Sequence, residues 1–233
     1  MKIVIGLAAF LVLAVAGTAF AYPAVAAVAC PYCYGFTGLG NGIYVEKTMS
    51  VGEREQAQAV VAAARERVAD FYGALDGRPR ILICKSEDCY QPIGGGSRGQ
   101  AILDWALFLS PRGTSDVIAA HELSHIELHS RLGLVKTWNR AIPQWFDEGL
   151  AADISADPRY LRQAGNGDRC LIEPGGDMPT TRSAWVETAR TQELYARAAC
   201  RVDRWIAAHG GPAAVARLAQ NVSGGESFQA AAR

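Results

Sequence analysis

The sequence HELSH at residues 121–125 constrains the fold of this chain more than any other feature. Residues four apart in an α-helix lie one above the other on the same face, so His121 and His125 can bind one metal ion together. Glu122 is rotated by one position, which places its carboxylate beside that ion. The pattern therefore predicts a helix that carries a metal site and borders a cleft.

The flanking residues predict the same helix independently. Thr114 or Ser115 can cap its amino terminus, and Gly133 is expected to end it. The alternative is a half-buried face whose histidines make only ordinary hydrogen bonds, but a glutamate between two of only four histidines favours the metal site. His129 continues this face about 12 Å along the axis from His121, so we expect it at the surface or beside the ligands.

A catalytic metal ion needs a third protein ligand and an open coordination position. Glu148 lies 23 residues after His125, a gap that suits a loop and a second helix that returns antiparallel to the first. Zinc lowers the pKa of a bound water toward about 7, and a nearby carboxylate such as Glu122 can then take its proton. The residues therefore predict a site for one zinc ion.

Two sequences in this region, HELSHIELH at 121–129 and PQWFDEGLA at 143–151, resemble the gluzincin metallopeptidases. The resemblance covers about residues 115–155. More specifically, these residues resemble the peptidase MA-like superfamily, with its HELxH and W-x-x-EGLA signatures. It implies that Glu122 is the general base and proton shuttle. It implies three zinc ligands, namely His121, His125 and Glu148.

The rest of the chain predicts an α+β fold, with a small zincin-like sheet and the active-site helix followed by a helical C-terminal part. Short strands are expected at residues 42–47, 80–84 and 101–109. Further helices are expected from the capping box of Ser50 and Glu53 to Gly73, at 144–154, at 183–208 and from Pro212, with 155–182 irregular. The predicted domain covers residues 40–222, and residues 223–233 are expected to form a loose tail.

The predicted strand at 101–109 has two interpretations. The family resemblance implies that it borders the cleft and pairs with an extended peptide through main-chain hydrogen bonds. The alternative is an interior strand, because Trp105, Leu107 and Phe108 are large and apolar.

Several further side chains are candidates for supporting roles. Asp147 and Asp153 lie on either side of the third ligand, and each can accept the free N–H of a liganding histidine. Asp153 is equally well interpreted as a helix-surface carboxylate. Gluzincins often stabilise the oxyanion with a residue that is distant in sequence, and Tyr160, Tyr195 and His209 are candidates between which the sequence does not choose.

The amino terminus predicts export. Residues 3–15 form an uncharged apolar run, and Ala19 and Ala21 supply the small residues of a signal-peptidase site. Residues 1–21 therefore predict a signal peptide, with an uncleaved membrane anchor to about residue 30 as the alternative. The protein is then secreted or periplasmic, or anchored with its catalytic domain outside the cytoplasm.

Export would place the six cysteines in an oxidising compartment, where disulfides are the usual state. Six cysteines allow fifteen pairings, and only proximity in the sequence favours particular ones. Cys30 and Cys33 form a CxxC pattern beside the signal segment, which favours a small disulfide or an anchor-flanking feature over redox catalysis. The other pairs expected are Cys84 with Cys89 and Cys170 with Cys200.

The composition narrows the function further. Lys+Arg and Asp+Glu both number 23, which excludes the overall basic charge of a nucleic-acid-binding protein. The sequence predicts an exported, monomeric zinc metallopeptidase that acts on peptides or proteins. One alternative is a catalytically silent binding or envelope-assembly protein with the metallopeptidase fold, and another is thiol–disulfide exchange through Cys30 and Cys33.

Overall fold

A computed structural model describes residues 21–163, 165, 167–189 and 192–233. The signal peptide predicted for residues 1–21 therefore lies outside the described residues, apart from Ala21. Within the described ranges, no helix is both long enough and apolar enough to cross a bilayer.

Five strands form one mixed sheet. They are β1 (Phe36–Gly40), β2 (Ile43–Glu46), β3 (Arg80–Ile83), β4 (Gly99–Ile102) and β5 (Ala106–Leu109), in the order β1-β2-β3-β5-β4. The central strands β2, β3 and β5 run parallel, and the antiparallel strands β1 and β4 form the two edges. β3 and β5 are almost entirely apolar and buried, as expected for strands that are covered on both faces.

The single strand predicted at 101–109 is wrong, because the chain reverses within it. Leu103 adopts a φ of 50°, and the Trp105 N–H donates to the Ile102 carbonyl, which closes a tight turn between β4 and β5. The interior interpretation therefore holds for β5, where Leu107 and Phe108 are buried, whereas the edge belongs to β4. The turn is weakly signalled, because residues 103–105 contain no glycine, proline or asparagine and Asp104 is their one common turn residue.

Ten α-helices are described. They are α1 (Pro23–Ala29), α2 (Val51–Tyr72), α3 (Glu87–Tyr90), α4 (Asp116–Leu132), α5 (Leu134–Trp138), α6 (Gln144–Ile154), α7 (Arg182–Thr188), α8 (Gln192–Ala208), α9 (Ala213–Ser223) and α10 (Phe228–Ala231). The Ser50 and Glu53 capping box of α2 is complete, and Gly73 ends that helix with a φ of 81°. Ser115, rather than Thr114, caps α4, and Gly133 follows its last residue.

The C-terminal part differs from the prediction in two ways. The single helix expected at 183–208 is two helices, α7 and α8. The tail expected to be loose forms α10, where the Phe228 ring packs against Phe146 with centroids 5.2 Å apart. The Trp205 indole N–H also donates to the Ala232 carbonyl at 2.8 Å. The tail is ordered because its apolar side chain and backbone find partners in the core.

The sheet lies between two apolar clusters, because successive side chains of a strand point to opposite faces. Ile81 and Ile83 of β3 face the larger cluster, which they share with α2, α4, α6, α8 and α9. Leu82 faces the smaller cluster, which includes Ala27 and Phe36. The packed core thus begins before residue 40, the predicted start of the domain. This packing holds α4, which carries the HELSH sequence, against the sheet.

All six cysteines are paired, in the three pairs expected from their proximity. The disulfides are Cys30–Cys33, Cys84–Cys89 and Cys170–Cys200. The last of these ties the irregular segment before α7 to α8. A chain with this set of disulfides belongs in an oxidising, extracytoplasmic setting.

Candidate metal centre

Two helices that pack against each other supply the predicted ligands. His121 and His125 lie on one face of α4, and α6 brings Glu148 against that face. Phe146 and Leu150 of α6 are fully buried in the larger cluster beside α4, so the apolar side of α6 fixes the direction in which Glu148 points. The 22 residues between His125 and Glu148 thus form the return that their spacing predicted.

The three ligand atoms converge on one point. The Nε2 atoms of His121 and His125 are 3.2 Å apart, and Glu148 Oε2 lies 3.3 Å from the first and 3.7 Å from the second. Bonds of about 2.0–2.1 Å to a tetrahedral zinc ion place ligand atoms roughly 3.3–3.4 Å from one another. The nitrogen, nitrogen and oxygen donors therefore fit zinc in both type and separation.

Asp147 supports this group from behind. Its Oδ1 accepts a hydrogen bond from His125 Nδ1 at 2.6 Å, which leaves His125 Nε2 directed at the ligand group. Its Oδ2 lies 3.0 Å from His129 Nε2, so His129 lies beside the ligands, as its distance along the helix predicted. Burial alone would raise the pKa of Asp147, but the charges and hydrogen bonds of the two imidazoles lower it far below its ordinary value.

His129 also connects the helix to the sheet. Its Nδ1 lies 3.1 Å from the carbonyl oxygen of Leu103, the residue that reverses the chain between β4 and β5. Both ring nitrogens of His129 therefore face oxygen atoms, one on the sheet and one on α6. The edge strand and the metal centre are thereby held in one position relative to each other.

Asp153, the other candidate for the role of Asp147, lies in a separate cluster. Its Oδ1 accepts from Arg169 Nη1 at 2.6 Å, and the same nitrogen donates to Asp203 at 2.9 Å. Burial, opposed by the charge of Arg169 and reinforced by that of Asp203, raises the pKa of Asp153 to about 7. This cluster fixes the segment before α7 to α6 and α8, so Asp153 is a structural residue.

The raised pKa leads to a prediction about Asp153→Asn. Between its ordinary value of 3.8 and its folded pKa of about 7, the folded protein binds more protons at this site than the unfolded chain. The site therefore favours folding at low pH, and this contribution is lost as the pH rises through 7. Asparagine does not titrate, so the variant should gain about 4 kcal/mol relative to wild type between pH 4 and pH 8, because each of the roughly three pKa units in that window corresponds to about 1.4 kcal/mol. Urea unfolding with intact disulfides measures this difference, and a pH-independent difference would contradict it.

Glu122 is enclosed between the metal centre and the edge strand. Only 9% of the residue is exposed, and a Cβ added at Gly99 of β4 would lie 2.6 Å from its Cγ. Burial raises the pKa of Glu122, and the charges of His121 and His125 oppose this rise. A carboxylate with a raised pKa beside a metal site is suited to proton transfer.

Gly99 and Gln144 are two residues of the site that sequence reasoning missed. Only a residue without a side chain can approach Glu122 as closely as Gly99 does. The Gln144 side-chain amide donates to Glu148 Oε1 at 3.0 Å and so leaves Oε2 directed at the histidines. A signal for Gln144 was present, since residues four apart on a helix are neighbours.

Glu148 is ionised in this arrangement. Burial would raise the pKa of Glu148, but the imidazoles of His121 and His125 beside its carboxylate lower the pKa to about 2. A carboxylate that stays charged at neutral pH is the form that binds a metal ion.

A cleft of about 500 Å³ opens in front of the ligand group. Tyr160 and Tyr195 line it, and their rings stack with centroids 5.1 Å apart. Burial raises the pKa of both phenols, so each keeps its hydrogen at neutral pH. The third candidate, His209, is not among the residues that line the cleft; its ring stacks on Trp205 and donates to that residue's carbonyl at 2.7 Å.

Comparison of the chain with protein-family models, with curated proteins and with solved structures found no match. A function for this protein therefore has to be argued from its motifs and from the geometry of the site. The mixed α+β fold does not by itself imply a function, so the function is inferred from the side chains that the fold brings together.

Proposed function

We propose that this protein is an exported zinc metallopeptidase of the gluzincin type, similar to the peptidase MA-like superfamily. The observation that carries the proposal is the convergence of three ligand atoms from His121, His125 and Glu148, 3.2–3.7 Å apart, at the floor of an open cleft. Their donor types and separations match a zinc ion that keeps a position open for catalysis.

When bound here, zinc supplies a Lewis acid that lowers the pKa of a water molecule and polarises a carbonyl group. Glu122 takes the proton from the water that attacks the peptide carbonyl, and then delivers it to the leaving amine. Its burial beside Gly99 favours this role, because a raised pKa makes both proton transfers easy near neutral pH. Asp147 keeps His125 in the tautomer that presents Nε2 to the metal.

Tyr160 and Tyr195 are the candidates for stabilising the negative charge that develops on the carbonyl oxygen. Both line the cleft and both keep their hydroxyl hydrogen at neutral pH. A hydroxyl that is already held in the cleft donates to the oxyanion with little reorganisation.

The edge strand β4 is the proposed binding site for the peptide backbone. It pairs with β5 on one side, and no other strand of the described chain pairs with its outer edge. Its residues Gly99, Gln100 and Ala101 line the cleft. An extended peptide can therefore add to this edge through main-chain hydrogen bonds, which hold a substrate without selecting its side chains. We propose that β4 is the strand that borders the cleft in a zincin-like sheet.

Chelation tests the proposal on the full chain, purified from an oxidising compartment. We expect one zinc ion per chain, cleavage of a mixed peptide library, complete loss of cleavage with a chelator, and recovery on adding zinc. Calcium serves as the control, because it prefers sets of six to eight oxygen ligands and should not restore cleavage. Cleavage that survives removal of all metal would contradict the proposal. Stoichiometric zinc without any cleavage would instead favour the catalytically silent alternative.

A further inference from the structure

The walls of the cleft carry an uneven set of charges. Within the described residues, the only acidic side chains that line it are Glu122, Asp147 and Glu148, all of which belong to the metal centre. The basic side chains that line it are Arg98, Lys136, Arg140, Arg159 and Arg182.

The three acidic groups do not neutralise these basic ones. Asp147 is held between His125 and His129, and Glu148 faces the two histidine ligands and Gln144. Glu122 is buried against β4. A bound zinc ion adds positive charge at the same place. The outer walls of the cleft therefore have no carboxylate of their own in the part of the chain that is described.

Four of the five basic groups also lack an acidic partner. Arg159 forms an ion pair with Asp157, but no carboxylate among the described residues lies within salt-bridge distance of the other four. Arg140 donates only to the neutral side chain of Gln144. Arginines elsewhere are often paired, as Arg204 is with two carboxylates. Since the whole chain has equal numbers of acidic and basic residues, the excess of basic side chains at the cleft is a local feature.

The unpaired charges reach the cleft from separate segments. Arg98 directly precedes β4, Lys136 and Arg140 lie in and just after α5, and Arg182 is the first residue of α7. They therefore belong to three segments of the chain that only the tertiary structure brings to one cleft.

We infer that this cleft selects acidic peptides, with Asp or Glu side chains near the bond to be cleaved. The inference rests on the proposed function and names its substrate class. Hydrogen bonds between arginine and carboxylate are charge-assisted, and the walls of a cleft concentrate the potential of the charges that line it. Because β4 would hold the peptide main chain without regard to sequence, these side chains supply the selectivity that the edge strand lacks.

Binding to the zinc-loaded Glu122→Gln variant tests this selection without turnover. Two labelled peptides, blocked at both ends, are identical except that one has Asp and Glu where the other has Asn and Gln. Fluorescence anisotropy should show about 10-fold tighter binding of the acidic peptide at low salt, as expected for a few exposed ion pairs. The preference should fade in 1 M salt, where the screening length is about 3 Å. A third peptide, neutral but with a free C-terminal carboxylate, should bind like the neutral blocked one.

Charge reversal identifies the groups responsible. Arg98→Glu combined with Arg182→Glu, in the same Glu122→Gln background, should remove the preference while zinc content is unchanged. The matched control is Arg78→Glu, an exposed arginine that does not line the cleft, which should leave the preference intact.

The outcomes separate this inference from the proposed function. Equal binding of both blocked peptides, binding of neither, a preference that persists in the double variant, or a preference due only to the free C-terminus would each overturn it. If the binding preference is present but the wild-type protein cleaves neither peptide, the proposed hydrolysis fails and the selection of acidic peptides stands.

Discussion

Glu122→Gln is expected to lower the rate of peptide hydrolysis by a factor of about 10²–10⁴ while one zinc ion remains bound. Glutamine has nearly the shape of glutamate, so it fits the buried space beside Gly99, but its amide cannot accept the proton of the attacking water. The loss should appear in kcat, with little change in KM, because Glu122 acts in the transition state rather than in substrate binding. Steady-state kinetics on a peptide from the library, with metal analysis of the same sample, measure both quantities.

Two further variants make this result specific. Glu66→Gln removes an exposed carboxylate of α2 that lies outside the cleft, and it should behave like the wild type. Gly99→Ala keeps the Glu122 carboxylate but places a methyl group 2.6 Å from its Cγ, so activity should fall with zinc retained. A Glu122→Gln protein within about threefold of wild-type activity would exclude Glu122 as the general base.

Loss of either of two ligands is expected to remove the metal. His121→Ala and Glu148→Ala each leave two protein ligands, and neither should hold stoichiometric zinc after dialysis, since a catalytic zinc site needs three. Asp147→Asn keeps all three ligands but weakens the hydrogen bond that orients His125, so it should lower zinc affinity by about 10- to 100-fold. Metal analysis and competition with a chromophoric chelator distinguish the two degrees of loss.

The matched control for these variants is His209→Ala, because His209 directly follows α8, lies outside the cleft and stacks on Trp205. It should retain one zinc ion per chain. Circular dichroism shows whether the helices remain folded in each variant. Undiminished zinc in both His121→Ala and Glu148→Ala, with folded protein, would show that these residues are not the ligands.

Much of the helical architecture was predictable because its signals are local. The capping box of Ser50 and Glu53, the cap at Ser115 and the glycine after Leu132 lie within a few residues of the helix ends that they define. The reversal at Leu103 was missed because nothing in the local sequence demands a turn there. The sequence predicts a loose tail because the apolar partners of Phe228 are not its neighbours in sequence. They are brought together only when α6 and α8 pack.

The supporting residues of the site were less predictable than its ligands. Asp147 and Asp153 are both acidic residues of α6, and the rotation of that helix decides which one meets His125. The choice between Tyr160, Tyr195 and His209 depends on where the C-terminal helices pack. Sequence separation contains no information about that packing.

The spacing of His121 and His125 by itself predicted that the two imidazoles share one face, because the geometry of an α-helix places residues four apart on one face whatever surrounds it. The disulfide pairs were likewise suggested by short separations along the chain. Only the tertiary structure decided that β4 is an edge strand beside the cleft, that Asp147 accepts from His125, and that four cations without an acidic partner among the described residues line that cleft. These features arise from contacts between segments far apart in sequence, and they exist only once the apolar faces of those segments are buried together.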